Sequence, residues 1–388
     1  MLRALTFTSL YPNTEQPYNG VFVERRLRAM ADRMAFEIIA PISLLQQWHI
    51  FNKVPHERYS GNIMIHHPRY TGFPKIMKWM DGYIMYLCTQ KSVRSIVESF
   101  KPDYIDAHYA YPDGYAAMLH AKFNNIPFTL TLRGSDLYLV TKDIWRRNLI
   151  AKVLKEAMAV IALSEDLKQM AVDLGASPNK ISVISNGVDQ SLFKPFDVSS
   201  LREQYNISPD SFVLLGVGRL VPLKRFDLLV AIIASLKKRM KKPIHGIIVG
   251  SGPEEARLRK LSYEYGLEND ITFVGQQFPG ELPRWYNLAN ILMVLSTHEG
   301  SPNAPLEALS CGTPVIATAV GNLPDIIDNG SGLILRDLNS DNIANAVALF
   351  WKKNVYDRSK IRLAVSDFTW EAVSDKQVSF IKKMIKNI

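Results

Sequence analysis

Two carboxylates eight positions apart, Glu299 and Glu307, stand in the run His298-Glu299-Gly300-Ser301-Pro302-Asn303-Ala304-Pro305-Leu306-Glu307-Ala308-Leu309. The apolar stretch Ile291-Leu292-Met293-Val294-Leu295-Ser296 before them has the length and residue types of a buried strand, and Gly300 to Asn303 are turn formers. The spacing therefore places Glu299 at the carboxyl end of a strand. A helix is expected from near Pro305 to Cys311, ended by Gly312 and Pro314, with Glu307 in its first turn. In an open parallel sheet, ligands bind beyond the carboxyl ends of the strands, where helix N-termini also present unpaired N–H groups. Carboxylates accept from hydroxyls and backbone N–H groups donate to phosphates. With Ser301, Asn303 and Ala304 at the helix entry, the segment suits a ligand carrying both sugar hydroxyls and phosphate. Taken alone, the same pair is also what a helix start favouring acids and a solvated loop glutamate would give.

A second constellation precedes it. Phe212-Val213-Leu214-Leu215-Gly216-Val217-Gly218-Arg219-Leu220-Val221-Pro222-Leu223-Lys224-Arg225-Phe226-Asp227 reads as a buried strand, a glycine turn and a helix start. Glycine lets the backbone approach a ligand, and a fixed guanidinium at Arg219 with a mobile ammonium at Lys224 can neutralise neighbouring phosphates. Val221 occupies the third glycine position of a dinucleotide fingerprint, so the run is not one, and it is not a Walker loop. Two cations solvated on a turn are the plainer alternative. The turns at Gly250-Ser251-Gly252 and Gly275-Gln276-Gln277 each follow a strand and should open on the same sheet edge, although glycine after a strand is also mere punctuation.

Nearer the start, Gly20 stands at a helix entry where N–H donors could face phosphates. His108, in Asp106-Ala107-His108-Tyr109-Ala110-Tyr111-Pro112-Asp113-Gly114, follows a strand and again falls at a carboxyl edge, although a lone histidine is usually a satisfied structural residue. Leu132-Arg133-Gly134-Ser135-Asp136 forms a further loop, and Ser185-Asn186-Gly187 a turn.

The elements that must position these residues alternate. Strand-like runs at Ala4–Thr8, Phe36–Ala40, Ile63–His66, Tyr104–Ala107, Phe128–Leu132, Ala159–Ala162 and Ile181–Ile184 are separated by helical patterns at Phe22–Ala31, Lys91–Phe100, Tyr115–Phe123, Trp145–Ala157 and Leu167–Leu174. After a linker-like Phe193-Lys194-Pro195-Phe196 the pattern restarts, with strands at Phe212–Gly216, Ile244–Val249, Ile271–Val274, Ile291–Leu295, Val315–Ala317 and Gly332–Leu335. Alternation of this kind argues α/β architecture, two doubly wound Rossmann-like domains facing across a cleft: residues 1–193, residues 194–367, and a closing helical segment 368–388. A chain of 388 residues is long enough for two such cores.

Apolar residues make up 47% and charged residues 21%, which excludes disordered and fibrous classes. The two cysteines, Cys88 and Cys311, lack metal-type spacing and stand far apart, so neither a zinc site nor a structural disulfide is expected. No signal-peptide pattern and no spanning apolar run is read, and the expected location is the cytoplasm, including the inner face of its membrane. The net charge of +9 is spread over both halves, which disfavours a nucleic-acid-binding module with a concentrated basic stripe. Trp79, Tyr83 and Tyr86 beside Lys75 and Lys78 could lie at a membrane surface or against a lipid-linked acceptor, or simply form a buried helix with two solvated lysines.

The Glu299–Glu307 segment, with its His-Glu-Gly opening and Pro-Leu-Glu-Ala-Leu-Ser-Cys-Gly-Thr-Pro-Val continuation, resembles the signature of retaining family 4 glycosyltransferases of the GT-B fold. The resemblance covers nearly the whole chain, in the right order. It implies transfer of a glycosyl unit from a nucleoside diphosphate sugar, a UDP- or GDP-sugar, to a hydroxyl of a glycan or lipid-linked acceptor, with neither cofactor nor metal. Glu307 would bind the ribose, Glu299 and His108 the donor sugar, Arg219 and Lys224 the diphosphate with donors near Gly20, and the turns at Gly250 and Gly275 the base. Arg133 departs from the histidine that often opens its loop, leaving Arg133 and Asp136 for the acceptor side or phosphate. The closing helix would cross back to the first domain. The opening Tyr11-Pro12-Asn13 to Gly20-Val21-Phe22-Val23 resembles enzymes of cell-surface polysaccharide or teichuronic-acid-type assembly. A nucleotide-sugar epimerase of the same fold is the alternative, which the two glutamates disfavour.

Overall fold

A computed structural model of the chain describes residues 1–45, 47–73, 77–328, 330–353 and 357–386; Lys75, one of the basic residues of the aromatic segment, lies outside them. The chain divides into two units, Met1–Asn186 with Trp370–Ile388, and Gly187–Thr369. The first division falls ahead of the expected residue 193, because Val188 and Phe193 are buried in the apolar core of the second unit.

The sheet of the first unit runs in the order Ile181–Val183, Ala159–Ala162, Phe128–Thr131, Tyr104–His108, Leu2–Phe7, Met34–Ile39, Ile63–His66, Glu57–Ser60. Its strands are parallel except the last, which pairs antiparallel with Ile63–His66. Strands buried on both faces must be apolar nearly throughout, and Ala-Val-Ile-Ala at 159–162 obeys this. Tyr104–His108 does not, since it is buried along its whole length yet carries Asp106 and His108. Two ionisable groups inside a central strand need partners, and they mark the place where the unit's polar chemistry is concentrated.

The order of the sheet reverses beside Leu2–Phe7: the chain goes next to Met34–Ile39 on one side and later to Tyr104–His108 on the other. Loops leaving such neighbours diverge to opposite faces and leave a crevice at their carboxyl ends. The second sheet, all parallel, runs Ile271–Gly275, Ile244–Val249, Phe212–Val217, Ile291–Val294, Val315–Thr318, Gly332–Leu335 and reverses beside Phe212–Val217. The loops after Phe212–Val217 and Ile291–Val294 therefore border its crevice.

Three short strands were not expected from the sequence. Glu57–Ser60 forms a hairpin with Ile63–His66 through Gly61-Asn62, and Ile42–Ser43 pairs with Arg69–Tyr70. The helix ahead of Tyr104 is twice its expected length, Asp81–Phe100.

The first unit is closed by the helix Trp370–Ile385, whose Val378 and Ile381 are buried with Val23, Leu27 and Met30. Beside this apolar seam lies a fully buried arginine. Arg26, on the helix Val21–Arg28, donates to Gln377 Oε1 at 2.8 Å and to the carbonyls of Ile184 and Ser185 at 3.2 and 2.5 Å. Burial, offset in part by Asp106, lowers its pKa to about 10, so it remains a cation at neutral pH. Removing a buried cation from partners that it satisfies exposes each of them to an unpaid desolvation cost. Arg26→Ala should therefore lower stability by about 3 kcal/mol, read as a fall in the urea midpoint of the full-length protein; an unchanged midpoint would show the network to be dispensable.

Candidate functional site

In the second unit, the two loops at the reversal of strand order are joined by one ion pair. Lys224 ends a short 3-10 turn, Pro222–Lys224, ahead of the helix Phe226–Arg239, and its Nζ meets Glu299 Oε1. The same carboxylate oxygen accepts from Ser296 Oγ at 2.6 Å, and Thr297 N–H donates to Leu223 O at 3.0 Å. Glu299 is thus fixed from one side, and among the described residues its Oε2 has no partner. Lys224 uses one of an ammonium's three donors in this pair. Arg219, four residues after the end of the strand's apolar core at Leu215, is exposed and carries no ion pair among the described residues. The Lys224–Glu299 pair thus stands at the carboxyl edge, with Arg219 on the loop that leads to Lys224. A depression of about 360 Å³, a figure that includes open solvent, is lined there by Val217, Lys224, Phe226, Ser296, Pro302 and Ala304.

The helix after Glu299 spans Asn303–Ser310 with Pro302 as its cap, two residues ahead of the expected start at Pro305. Proline is tolerated within a first turn because the N–H it lacks would have no intrahelical partner. Glu307 consequently lies in the second turn, not the first; no acid occupies the first turn. It is buried, and its Oε2 accepts from Tyr286 Oη at 2.8 Å. A phenol donating to one oxygen fixes the carboxylate plane. Gly312, with φ 73°, ends the helix as expected: Gly312 N–H donates to Leu309 O and Thr313 N–H to Ala308 O, both at 2.9 Å. Burial, and then the charge of Glu307, push the thiol of Cys311 up to about 12, leaving it an inert core residue.

Glycines at the edge serve close backbone approach. A Cβ at Gly250 would stand 1.9 Å from Gly218 O, and one at Gly252 2.3 Å from Leu220 O. Gly250 N–H donates to Gly275 O at 2.8 Å and Leu220 N–H to Ser251 O at 2.9 Å. Three consecutive turns are in this way bound into one block that carries Arg219. Gly321, with φ 57°, packs against the carbonyls of Glu299 and Gly300. Asn322 beside it donates through Nδ2 to the buried Ser301 Oγ at 3.0 Å, while its own Oδ1 is buried without a partner among the described residues.

In the first unit, Gly20 caps the helix Val21–Arg28 with φ 68°, and a Cβ there would meet Leu10 O at 2.1 Å, so this position admits only glycine. His108 is fully buried. Its Nε2 faces Asp106 Oδ2 at 3.0 Å and its Nδ1 is contacted by Arg133 Nη2. A guanidinium can only donate, so Nδ1 accepts and the ring proton is on Nε2, donated to Asp106. Burial and the nearby Arg133 hold His108 below its usual pKa, favouring this neutral form. Against its own burial, His108, Thr129 and Arg133 hold Asp106 below the usual carboxylate range.

These contacts correct three expectations. His108 has no ring nitrogen left for a donor sugar, because Asp106 and Arg133 occupy both. Arg133 is turned inward: its guanidinium also reaches Asn186 Oδ1 at 3.4 Å and lies 4.9 Å from the centre of the Phe22 ring. Asp136 is fully buried, accepting from the N–H groups of Ala110, Arg133 and Gly134 at 2.8–3.1 Å, so it shapes its loop and does not face an acceptor.

The residues missed from the sequence are Tyr286, Ser296, Asn322 and a bridge across the first unit's own crevice, where Ser9 N–H and Ser9 Oγ both meet the carboxyl of Asp113. A turn formed by Gly321-Asn322 after a strand could have been read as an edge loop; no sequence signal marks the others. Burial raises Asp113 to about 7, well above the usual carboxylate range. A group whose folded pKa is raised favours the fold when protonated, so its contribution is complete below the unfolded value near 3.8 and is lost as pH rises toward 7. Asp113→Asn, which can accept from Ser9 N–H and donate to Ser9 Oγ, should flatten that part of the stability–pH curve; an unchanged curve between about pH 4 and 7 would exclude Asp113 as its source.

Comparison with known proteins agrees with this architecture. Residues 50–192 match the family model Glycosyltransferase Family 4, and residues 197–364 match Glycosyl transferases group 1. The chain is 26% identical over 382 residues to the putative teichuronic acid biosynthesis glycosyltransferase TuaC of Bacillus subtilis, covering 92% of each protein. It is 29% identical to a D-inositol 3-phosphate glycosyltransferase of Stackebrandtia nassauensis, covering 93% of this chain and 87% of that one. Among solved structures, sucrose-phosphate synthase from Thermosynechococcus elongatus superposes with a TM-score of 0.84 at 21% identity over 100% of both chains. Anabaena HepE in complex with UDP does so with 0.76 at 18% identity, over 99% of this chain and 100% of that one. With both halves matched by glycosyltransferase models and the two sheets matched by GT-B structures, the chain belongs to the GT-B glycosyltransferases, a Family 4 domain followed by a group 1 domain.

Proposed function

We propose that the protein transfers a glycosyl unit from a nucleoside diphosphate sugar to a hydroxyl of a glycan or lipid-linked acceptor in cell-surface polysaccharide assembly, with retention at the anomeric carbon. The observation that carries the donor reading is the Lys224–Glu299 pair across the reversal of strand order, with Arg219, which has no ion pair among the described residues, on the same loop as Lys224. This arrangement supplies two cations for a diphosphate and a free carboxylate oxygen for a sugar hydroxyl. The binding of UDP by HepE and the teichuronic acid assignment of TuaC support the donor class and the process.

Leaving-group charge grows on the diphosphate as the glycosidic bond breaks. Donors already aimed at that charge lower the barrier without reorganising, which is the largest single contribution expected here. Arg219 and Lys224 would take that role, aided by the first-turn N–H groups of the helix Asn303–Ser310. Glu307, oriented by Tyr286, would accept from the ribose diol, and Glu299 Oε2 would orient the sugar. A diphosphate oxygen on the same face as the incoming hydroxyl would accept its proton, consistent with retention. The turns at Gly250 and Gly275 would border the base.

Nucleoside diphosphates should raise the melting temperature of the wild-type protein, since a ligand bound only by the folded form stabilises it by mass action. Glu307→Ala should abolish that response. A well-folded protein indifferent to every nucleotide would overturn the donor site. Tyr286→Phe should weaken nucleotide binding about fivefold, the equivalent of one lost hydrogen bond. Lys224→Ala and Arg219→Ala should each reduce turnover about 100-fold or more, measured as nucleoside diphosphate release with an acceptor extract. Full turnover in either variant would sink the assignment of roles.

A further inference from the structure

The first unit carries an exposed apolar surface that no part of this chemistry uses. Trp79, Tyr83 and Leu87 recur every four residues at the start of the helix Asp81–Phe100 and its preceding turn, 40, 47 and 47% exposed. Trp145, 65% exposed, and Ile144 open the helix Ile144–Glu156, and the Trp145 ring lies 6.2 Å from that of Trp79. The tryptophan pair joins the two helices into one patch. Single exposed apolar residues are ordinary, but a contiguous group of large ones marks a surface that meets something other than water.

Charge decides what that is. The acids of the patch are neutralised from within. Asp81 is buried and accepts from Phe73 N–H and Lys78 Nζ at 2.7 and 3.0 Å, and Asp143 caps the N–H groups of Trp145 and Arg146 and pairs with Arg146 Nε at 3.2 Å. Lys91 on the first helix, Arg147 on the second and Lys142, which ends the 3-10 turn Val140–Lys142 ahead of the second, are exposed and carry no ion pair among the described residues. Cores of protein–protein interfaces are depleted in lysine. Amphipathic Trp and Tyr rings rimmed by unpaired Lys and Arg are instead the composition of a surface seated in a lipid headgroup layer. Of the residues that the sequence singled out, Lys78 is bound to Asp81, and Tyr86 is partly buried with its ring 4.7 Å from that of His120; Trp145, Lys142 and Arg147 take their place.

We propose that this patch docks the protein onto an anionic lipid bilayer, the five apolar side chains entering the headgroup–acyl boundary while Lys91, Lys142 and Arg147 face lipid phosphates. No helix among the described residues is long and apolar enough to cross a membrane, so the contact is peripheral. None of these residues belongs to the donor site, and docking stands or falls independently of the transfer reaction.

Co-sedimentation of the full-length protein with vesicles of phosphatidylcholine, alone or mixed with phosphatidylglycerol, tests it. Wild type should bind the mixed vesicles in preference to the neutral ones. The double variants Trp79→Ala/Trp145→Ala and Lys142→Glu/Arg147→Glu should each lose about tenfold or more in vesicle affinity, with unchanged circular dichroism. The charge variant alters only exposed side chains, which keeps the test open should the apolar variant fold poorly. Absence of binding to the mixed vesicles, binding indifferent to lipid charge, or variants as tightly bound as wild type would overturn the proposal. A concentration-dependent dimer dissolved by the tryptophan variant, in place of vesicle binding, would overturn it in favour of a second copy of the chain.

Discussion

Parallel strand pairing imposes one constraint from which the placement of the chemistry follows. Every strand of a parallel sheet ends at the same edge, and only where the strand order reverses do the departing loops part to leave room. In each unit, side chains bridge that gap. The first uses Ser9 and Asp113, whose carboxyl burial raises to about 7; the second uses Lys224 and Glu299, an ion pair. The same geometrical vacancy is thus closed by hydrogen bonds in one sheet and by opposite charges in the other. Among the described residues, the charged closure leaves ammonium donors and a carboxylate oxygen without partners.

The first unit concentrates its electrostatic stress elsewhere. Arg26 is fully buried and Arg133 partly so; burial lowers the pKa of Arg26 to about 10, and burial followed by the charge of Arg26 holds Arg133 well below its usual value. Asp106 supplies the opposing charge, and the carbonyls of residues 184 and 185 and the amide of Asn186 supply acceptors. A buried charge network of this kind adds little net stability but strongly disfavours rearrangement, because moving any member leaves another unpaired. His108 is held inside that network. Its position after a strand suggested contact with a ligand; its surroundings make it part of the scaffold.

How much of this was legible in the sequence depended on the kind of signal. Ile63–His66, Ala159–Ala162, Ile244–Val249 and Gly332–Leu335 have the ends that their apolar runs announce, because turn formers bound them. Glu57–Ser60 is polar and half exposed, so its membership of the sheet is decided by the Gly61-Asn62 turn and not by its own side chains. The start of the helix at Asn303 was misplaced because Pro305 resembles a first helical residue, whereas it occupies the third. Loops were readable and inward-facing contacts were not: Glu299 and Lys224 are separated by 75 positions, and nothing local indicates that they meet or that Tyr286 orients Glu307.

The interleaved path of the chain has a consequence for its birth on the ribosome. The helix Trp370–Ile385 completes the first unit, yet residues 187–369 must all be synthesised before it exists. Until then, Val23, Leu27 and Met30 lack their apolar cover and Arg26 lacks Gln377. The second unit is contiguous and can fold as it emerges, while the first waits with an uncovered seam. During translation that seam is where a nascent chain of this protein is most open to chaperones and to mispairing with its neighbours.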